Sequence, residues 1–285
     1  MIMVYPAALL KKWNVSAKKQ LGQNFLADPS VSQKIIERAG ITPEDIVLEI
    51  GPGLGALTLP LSSISKKVYA VETDSRIIPI LQDELTHRHI KNVSVMHQSI
   101  LDTDISQIAK QAHRTIIVVG NLPYNISSQI LVLLINSRRH ISRAVLMFQK
   151  ELSLRIQAKP GCRDYSRLSV MLQYCADIRT VTTVKASAFF PQPKIDSEVL
   201  GIEFKQKIPF QAASEPFLFN VIKAAFGQRR KTLKNSLAGS ALPLDAHTAA
   251  KALTECRIDP ARRAETLTVE EFVRLADTLI HYAAA

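Results

Sequence analysis

The first two thirds of the chain alternate short apolar runs, rich in Ile and Val, with segments of helical pattern. Helix candidates such as residues 77–85 and 130–135 separate the runs, and each run has the length of a buried strand. This alternation is typical of βαβ units, which build a parallel sheet covered by helices. It predicts an α/β fold. The strand candidates are residues 46–50, 68–72, 93–96, 116–120 and 144–148.

A change of pattern near residue 208 predicts a second domain. Two further strand candidates, residues 178–184 and 199–204, are followed by a polar stretch near Pro209 and Pro216 that is typical of a linker. The remainder is helical by pattern, and a chain of 285 residues is long enough for about two domains. We therefore expect an α/β domain over residues 1–208 and a small all-helical domain over residues 209–285.

The segment Asn-Leu-Pro-Tyr follows the fourth strand candidate. Pro123 has a fixed φ and holds Leu122 extended, so no helix can form there. Asn121 and Tyr124 should therefore lie at the carboxyl end of a strand, the edge at which open α/β sheets bind ligands. An amide oxygen, a backbone carbonyl and an aromatic ring together suit the exocyclic amine of a flat base. Taken alone, the segment is better explained as a loop with a packed Tyr, and residues upstream change that interpretation.

A glycine-rich turn follows the first strand candidate, and an acid precedes it. Glycines at such a turn accept positive φ and let a ligand approach the backbone closely. The spacing of Gly51, Gly53 and Gly55 differs from the dinucleotide fingerprint G-x-G-x-x-G. Glu49 would in addition repel a pyrophosphate, which argues against an NAD-linked dehydrogenase. Glu72 ends the next strand candidate, where a carboxylate can hold a ribose diol, so a positively charged nucleoside such as S-adenosylmethionine fits.

Taken together, these residues resemble the ribosomal RNA adenine dimethyltransferase family, in particular its bacterial small-subunit (16S) type. The likeness covers nearly the whole chain, because further motifs follow in the family's order. It implies a Rossmann-like S-adenosylmethionine-dependent methyltransferase fold with a mostly parallel seven-stranded sheet, whose last strand is antiparallel, and a small C-terminal helical domain. The further motifs are KKQLGQNFL at 18–26, QKE at 149–151, YSRLSV at 165–170, FFPQPKIDS at 189–197 and FGQRRKTL at 226–233.

The resemblance also implies roles for individual residues. The Asn121 side-chain oxygen and the Leu122 carbonyl would accept the N6 hydrogens of adenine, next to Pro123. Tyr124 and Phe189 would enclose the base, which must leave its stack to reach them. The cofactor would be S-adenosylmethionine, and its contacts would come from Asn24, Leu26, Glu49, Gly51, Gly53, Gly55, Glu72, Ser99 and Asn121.

Ser99 departs from the family pattern. After the third strand, the family usually carries an acid that receives the adenine amine of the cofactor. A hydroxyl accepts a weaker hydrogen bond than a carboxylate does, so the change predicts weaker cofactor binding. Gln98 or Asp102 could supply the missing acceptor instead, and the sequence leaves these alternatives open.

The charge of the chain favours a polyanionic partner. The net charge is +11 and the pI is about 9.6. No acid occurs between Glu215 and Asp245, and the basic segment, residues 223–234, lies in that stretch. A solvated face is the usual explanation of such a run, but beside an expected nucleobase pocket it favours contacts with RNA phosphates. The residues expected to make them are Lys223, Arg229, Arg230, Lys231 and Lys234.

The expected function is transfer of methyl groups to N6 of two adjacent adenosines near the 3′ end of small-subunit ribosomal RNA during subunit assembly. Two alternatives stay open: a large-subunit enzyme of the antibiotic-resistance type, and a catalytically silent RNA-binding assembly factor. The partner would be small-subunit ribosomal RNA or the assembling subunit, and the protein would be a cytoplasmic monomer. No apolar stretch reaches the length of a membrane span, and no secretory signal is visible. The Cys and His spacings predict no metal site.

Overall fold

The structure is a computed structural model that describes residues 5–283. It contains nine strands and twelve α-helices in that range. The strands are β1 (Phe25–Leu26), β2 (Ile46–Ile50), β3 (Lys67–Glu72), β4 (Val93–His97), β5 (Ile116–Asn121), β6 (Ile141–Gln149), β7 (Ala176–Val184), β8 (Phe189–Phe190) and β9 (Ser197–Phe204). The helices are α1 (Pro6–Lys12), α2 (Pro29–Ala39), α3 (Thr58–Ile64), α4 (Ile78–His87), α5 (Ile105–Ala112), α6 (Ser127–Ser137), α7 (Lys150–Gln157), α8 (Arg167–Cys175), α9 (Glu215–Ala225), α10 (Leu233–Ala238), α11 (Ala246–Glu255) and α12 (Val269–Ala283).

Seven strands form one sheet in the order β4-β3-β2-β5-β6-β9-β7. Strands β2 to β6 pair in parallel with their neighbours, whereas β9 pairs antiparallel with β6. The expected mostly parallel sheet of seven strands is confirmed, including its antiparallel last strand. Because β2 lies between β3 and β5, the carboxyl ends of these three strands meet at one edge of the sheet.

The central strands are continuous apolar runs because helices cover both of their faces. Every residue of β2 is buried, and so are the first five residues of β5. The flanking helices have clear local signals: α2 starts at Pro29 behind Asp28, whose side chain accepts the Ser30 N–H, and ends at Gly40 with φ of 61°. Each strand candidate of the sequence is therefore a strand in the structure, with bounds shifted by a few residues at most.

The chain divides into two compact units. The first extends to Ser153 and includes Ile178–Phe204, whereas Leu154–Asp177 belong to the second unit together with the residues from Lys205 onward. This division differs from the predicted one at residues 208 and 209, because the segment 154–177 belongs with the helical unit. Local pattern could not reveal this, since the apolar partners of that segment lie more than 40 residues further along the chain.

Aromatic contacts explain why this segment belongs to the helical unit. Tyr165 is fully buried, and its ring meets Phe226 edge-on with centroids 6.3 Å apart. Phe226 in turn stacks on Phe272 at 5.9 Å, and Tyr174 contacts Phe219 at 6.1 Å. Helices α8, α9 and α12 thus share one apolar core.

Residues 5–283 contain neither a candidate membrane span nor a candidate metal site. None of their helices combines the length and apolar character needed to cross a membrane. No group of three or more His, Cys, Asp or Glu side chains in the same range is arranged to hold a metal ion. The three cysteines are free thiols; Cys175 and Cys256 are buried and Cys162 is exposed.

Candidate active site

The glycine turn after β2 has the backbone geometry that only glycine adopts readily. Gly51, Gly53 and Gly55 have φ of 66°, 52° and 91°. A Cβ at Gly53 would lie 3.0 Å from the Phe25 ring, and one at Gly55 would lie 2.9 Å from Leu81 Cδ1. The turn therefore combines positive φ with close packing, and it presents bare backbone at the carboxyl edge of the sheet.

Glu72, at the end of β3, points its carboxylate at this turn. Its Oε2 accepts the Gly53 N–H at 3.2 Å, and its Oε1 accepts the N–H groups of Thr73 and Asp74 at 2.8 and 2.9 Å. Burial raises the pKa of Glu72, and these three amides partly offset that increase. The carboxylate is therefore held in a fixed orientation, and Oε2, which accepts only the Gly53 N–H, keeps a lone pair for a ligand.

Glu49 is a buried carboxyl at the site with one oxygen left without a partner. Its side chain is only 1% exposed, and its Oε2 has no hydrogen-bond partner within residues 5–283. Burial raises the pKa of Glu49 to about 8; the Thr58 hydroxyl opposes this increase, and the charge of Glu72 adds to it. The small cavity that Glu49 lines also touches Gly51, Leu26 and Asn121. A buried acceptor without a partner is costly, so this cavity suits a ligand with donors and positive charge.

The N-terminal motif, residues 18–26, is tied to the strand ends by hydrogen bonds across long sequence distances. The Gln23 side chain donates to Asp74 Oδ2 at 2.9 Å, and the Asn24 carbonyl accepts the Asn121 side-chain amide at 2.9 Å. Arg76 pairs with the same Asp74 at 2.6 Å, which holds the pKa of that carboxyl at about 2. Phe25 packs on Gly53. The motif thus covers the glycine turn.

Asn121 is oriented by that contact with Asn24. Because its Nδ2 donates to the Asn24 carbonyl, its Oδ1 remains an acceptor at the end of β5. The next residue, Leu122, is buried and donates its N–H to the Met147 carbonyl at 3.3 Å. The Tyr124 hydroxyl lies 2.9 Å from Ser197 Oγ, and burial raises the pKa of Tyr124. The predicted strand-end position of Asn121 and Tyr124 therefore matches the structure.

Phe189 lies largely within the apolar core. It is 4% exposed, pairs with Leu26 in the two-stranded β1–β8 ribbon, and packs within the apolar core. Its neighbour Phe190 is 42% exposed. The alternation of β8 turns the second ring outward, a feature that the sequence motif alone did not reveal.

The loop after β4 places its polar groups beside β3. The Gln98 N–H donates to the Glu72 carbonyl at 3.1 Å. Ser99 Oγ accepts the Leu101 N–H at 3.1 Å and thereby caps the short helical turn Ile100–Asp102, whose Asp102 is exposed. The Gln98 amide donates to Thr103 at 2.9 Å, which leaves its oxygen as an acceptor. Ser99 and Gln98 both lie where the missing acid is expected.

The basic segment lies in the helical unit. Helix α9 ends at Ala225 and a short helical turn, Phe226–Gln228, follows, so the basic side chains do not share one helical face. The Arg229 guanidinium donates to the Arg163 carbonyl. In the part of the chain that the structure describes, Lys223, Arg230 and Lys231 are exposed and have no ion pair.

Sequence reasoning missed several residues that support the site. The sequence pattern did not single out Asp74, which follows the end of β3 by two residues, or Thr58, which follows the glycine turn. Ser197 and Gln23 belonged to the motifs without an assigned role. The signal that could have found Asp74 is its position two residues after Glu72, where a turn residue commonly binds backbone amides.

Comparison with known proteins agrees with this geometry. The family model described as "Ribosomal RNA adenine dimethylase" matches residues 14–281. The "Ribosomal RNA small subunit methyltransferase A" of Desulforapulum autotrophicum is 51% identical over 277 residues, covering 97% of both chains, and that of a Geobacillus species is 41% identical over 281 residues, covering 96% of this chain and 95% of the relative.

Solved structures agree as well. A dimethyladenosine transferase from Plasmodium falciparum has a TM-score of 0.74 at 28% identity, covering 88% of this chain and 95% of that one. The 23S rRNA methyltransferase ErmE has a TM-score of 0.66 at 25% identity, covering 90% and 100%. The expected Rossmann-like methyltransferase fold is thereby confirmed, and this chain belongs to the ribosomal RNA adenine dimethylase family.

Proposed function

We propose that this protein transfers methyl groups from S-adenosylmethionine to N6 of two adjacent adenosines near the 3′ end of small-subunit ribosomal RNA. Membership in the family supports adenine dimethylation, and the names of the relatives from Desulforapulum and Geobacillus support the small subunit. The structural observation that carries the proposal is the orientation of Asn121, whose side-chain oxygen remains an acceptor beside the glycine turn.

The residues around the glycine turn fit the cofactor. S-adenosylmethionine, when bound, supplies a methyl group activated by the positive charge of its sulfur. Glu72 would accept hydrogen bonds from the ribose hydroxyls, because its carboxylate is already fixed by three backbone amides. Glu49 would lie near positive charge, which would relieve its buried and unpartnered oxygen. Asn24 and Leu26 would cover this end of the site, together with Gly51, Gly53 and Gly55, and Ser99 or Gln98 would accept from the adenine.

The target adenine would be held through its amine. The Asn121 oxygen and the Leu122 carbonyl would each accept one N6 hydrogen, which turns the nitrogen lone pair towards the methyl donor. Positive charge grows on N6 as the new bond forms, so these hydrogen bonds strengthen in the transition state. Tyr124, held by Ser197, would stack on the base beside Pro123. Burial leaves Phe189 to support that pocket from the core, with at most the edge of its ring on the base.

The RNA partner would contact the helical unit as well. We propose that Lys223, Arg229, Arg230, Lys231 and Lys234 bind its phosphates, since the surrounding stretch carries no acid. Of these, Arg229 would contribute least, because its guanidinium also donates to the Arg163 carbonyl. We further propose that the protein acts as a monomer in the cytoplasm, on the assembling small subunit.

Substitution of Asn121 tests this assignment. Asn121→Ala should slow methyl transfer to small subunits that lack dimethyladenosine by roughly 10²-fold or more, the scale for one preorganised polar contact. The measurement is single-turnover transfer of labelled methyl groups, with positions mapped in the RNA. Asn125→Ala is the matched control, because Asn125 is exposed and makes only a long 3.4 Å bond to the Gln20 carbonyl.

Three outcomes would contradict the proposal. Equal rates for Asn121→Ala and the parent protein would remove Asn121 from the target pocket. Methylation of large-subunit RNA in preference to small subunits would support the antibiotic-resistance type. Binding of RNA without any transfer by the parent protein would identify a silent assembly factor.

A further inference from the structure

The helical unit contains a second cavity, whose lining includes Lys223 of the basic segment. Its volume is about 340 Å³, within the range of small-ligand sites. It lies where the end of α9, the turn Phe226–Gln228 and the end of α10 meet. Polar groups line one part and apolar groups another: Asn220, Lys223 and Gln228, then Ala224, Gly227 and Leu242.

Glycine forms two walls of this cavity. A Cβ at Gly227 would meet no atom within 4 Å, so a side chain at this position would extend into open space. A Cβ at Gly239 would lie 3.2 Å from the Gln228 side-chain nitrogen, so glycine there lets the Gln228 amide lie close over the end of α10. Buried Ser236 fixes the turn from below by donating to the Gln228 carbonyl at 3.2 Å.

The polar side chains of the cavity have no partners within the protein. Asn220, Lys223 and Gln228 are exposed, and across residues 5–283 none has a side-chain hydrogen bond or ion pair. Two amides on the lining of one cavity offer both donors and acceptors, the combination that recognises the edge of a nucleobase. Lys223 offers a cation in a stretch without acids, which suits a phosphate. Ala224 and Leu242 provide an apolar surface for a flat ring.

We propose that this cavity binds one unpaired nucleotide of the RNA substrate, with its base between the amides of Asn220 and Gln228 and its phosphate at Lys223. Single-stranded RNA is recognised in this way, by bases that leave the helix and are bound at their edges. The inference rests on the proposed function, because that function supplies the RNA. It adds a contact to the base itself, distinct from the phosphate contacts of the basic segment.

A variant that fills the cavity without changing charge tests the proposal. Gly227 lines the cavity and has no positive φ, so Gly227→Leu introduces no backbone strain and adds a large side chain at the cavity wall. Ala246→Leu, on the exposed start of α11, adds a side chain of the same type elsewhere in the unit. Asn220→Ala is a second variant at an exposed helical position, which keeps the test valid if Gly227→Leu fails to fold.

The probe is the small ribosomal subunit without dimethyladenosine, compared with protein-free small-subunit RNA. Gly227→Leu and Asn220→Ala should weaken binding to both by roughly fivefold or more, because base contacts are lost. For Asn220→Ala the slope of log affinity against log salt should stay unchanged, since the phosphate contact of Lys223 is kept. Adenosine 5′-monophosphate, tested by chemical-shift changes at Gln228, distinguishes a site for free nucleotides from one that needs the RNA chain.

Each remaining outcome overturns the inference. If a folded Gly227→Leu and Asn220→Ala both bind the RNA as tightly as Ala246→Leu does, the cavity binds no nucleotide. Weaker binding to intact subunits with unchanged binding to protein-free RNA would assign the cavity to a ribosomal protein. Shifts caused by adenosine 5′-monophosphate without any loss of RNA affinity would indicate a free-nucleotide site. Failure of the proposed function is seen separately, as absence of methyl transfer by the parent protein.

Discussion

The buried carboxyl of Glu49 should make the stability of the protein depend on pH in an unusual direction. Burial raises its pKa from 4.5 to about 8, so the folded protein keeps a proton that the unfolded chain releases. The free energy of unfolding therefore falls as pH rises from about 4.5 to 8. At about 1.36 kcal/mol per pKa unit, the full effect amounts to as much as about 5 kcal/mol.

Glu49→Gln removes this titration while preserving the shape of the side chain. We expect the variant to match the parent protein near pH 4 and to be more stable above pH 8, by up to about 5 kcal/mol. Urea unfolding at each pH gives both free energies. The single tryptophan, Trp13, packs on the apolar cluster that contains Leu59 and Ile80, so its fluorescence reports the first unit.

The control and the cofactor make the test specific. Glu44→Gln removes an exposed carboxyl whose ion pair with Lys66 is long, at 4.0 Å. It should leave the pH dependence of the free energy of unfolding unchanged. Saturating S-adenosylmethionine should reduce the difference between Glu49→Gln and the parent, because positive charge near Glu49 favours its ionised form. Parallel stability curves for Glu49→Gln and the parent between pH 5 and 9 would refute the reasoning.

Three further predictions concern the cofactor and the RNA. Glu72→Gln removes one acceptor and should weaken S-adenosylmethionine binding roughly 10–100-fold; unchanged calorimetric affinity would contradict the ribose role. Ser99→Asp should tighten the cofactor about fivefold if Ser99 is the adenine acceptor, whereas a weaker complex only in Gln98→Ala would assign that role to Gln98. A double alanine variant in the basic segment should flatten the salt dependence of RNA binding by up to about 0.7 log units per lost contact, unlike the double control Lys34→Ala with Lys110→Ala. The two basic positions are Arg230 and Lys231, chosen because neither side chain has a hydrogen bond or ion pair within the described residues.

The parallel sheet was predictable because its signal is local. Strands such as β2 and β5 are unbroken apolar runs, which burial on both faces requires. The short ribbon of β1 and β8 could not be predicted, because two residues give no periodicity and the strands pair across more than 160 positions of the sequence. The same limit applies to the domain boundary, where the partners of Tyr165 and Tyr174 are distant in sequence.

The candidate active site could likewise be predicted only in part. The positions of Glu72, Gly53 and Asn121 follow from strand ends and could be predicted, because parallel strands bring their carboxyl ends to one edge. The orientation of Asn121 could not, because it depends on a carbonyl 97 residues away in the N-terminal motif. Nor could the pattern tell that Phe189 faces the core and Phe190 faces outward.

The segment 154–177 has a consequence for how the protein can be divided and how it folds during synthesis. The chain passes between the two units three times, so no single cut separates them. A truncation after residue 208 would keep α8 but remove Phe219 and Phe226, leaving the rings of Tyr174 and Tyr165 without their partners. Such a fragment should aggregate, whereas joining Ser153 to Ile178 directly would release a self-contained first unit. During synthesis, α8 leaves the ribosome before α9 and α12, so its apolar face stays uncovered until those helices have been made.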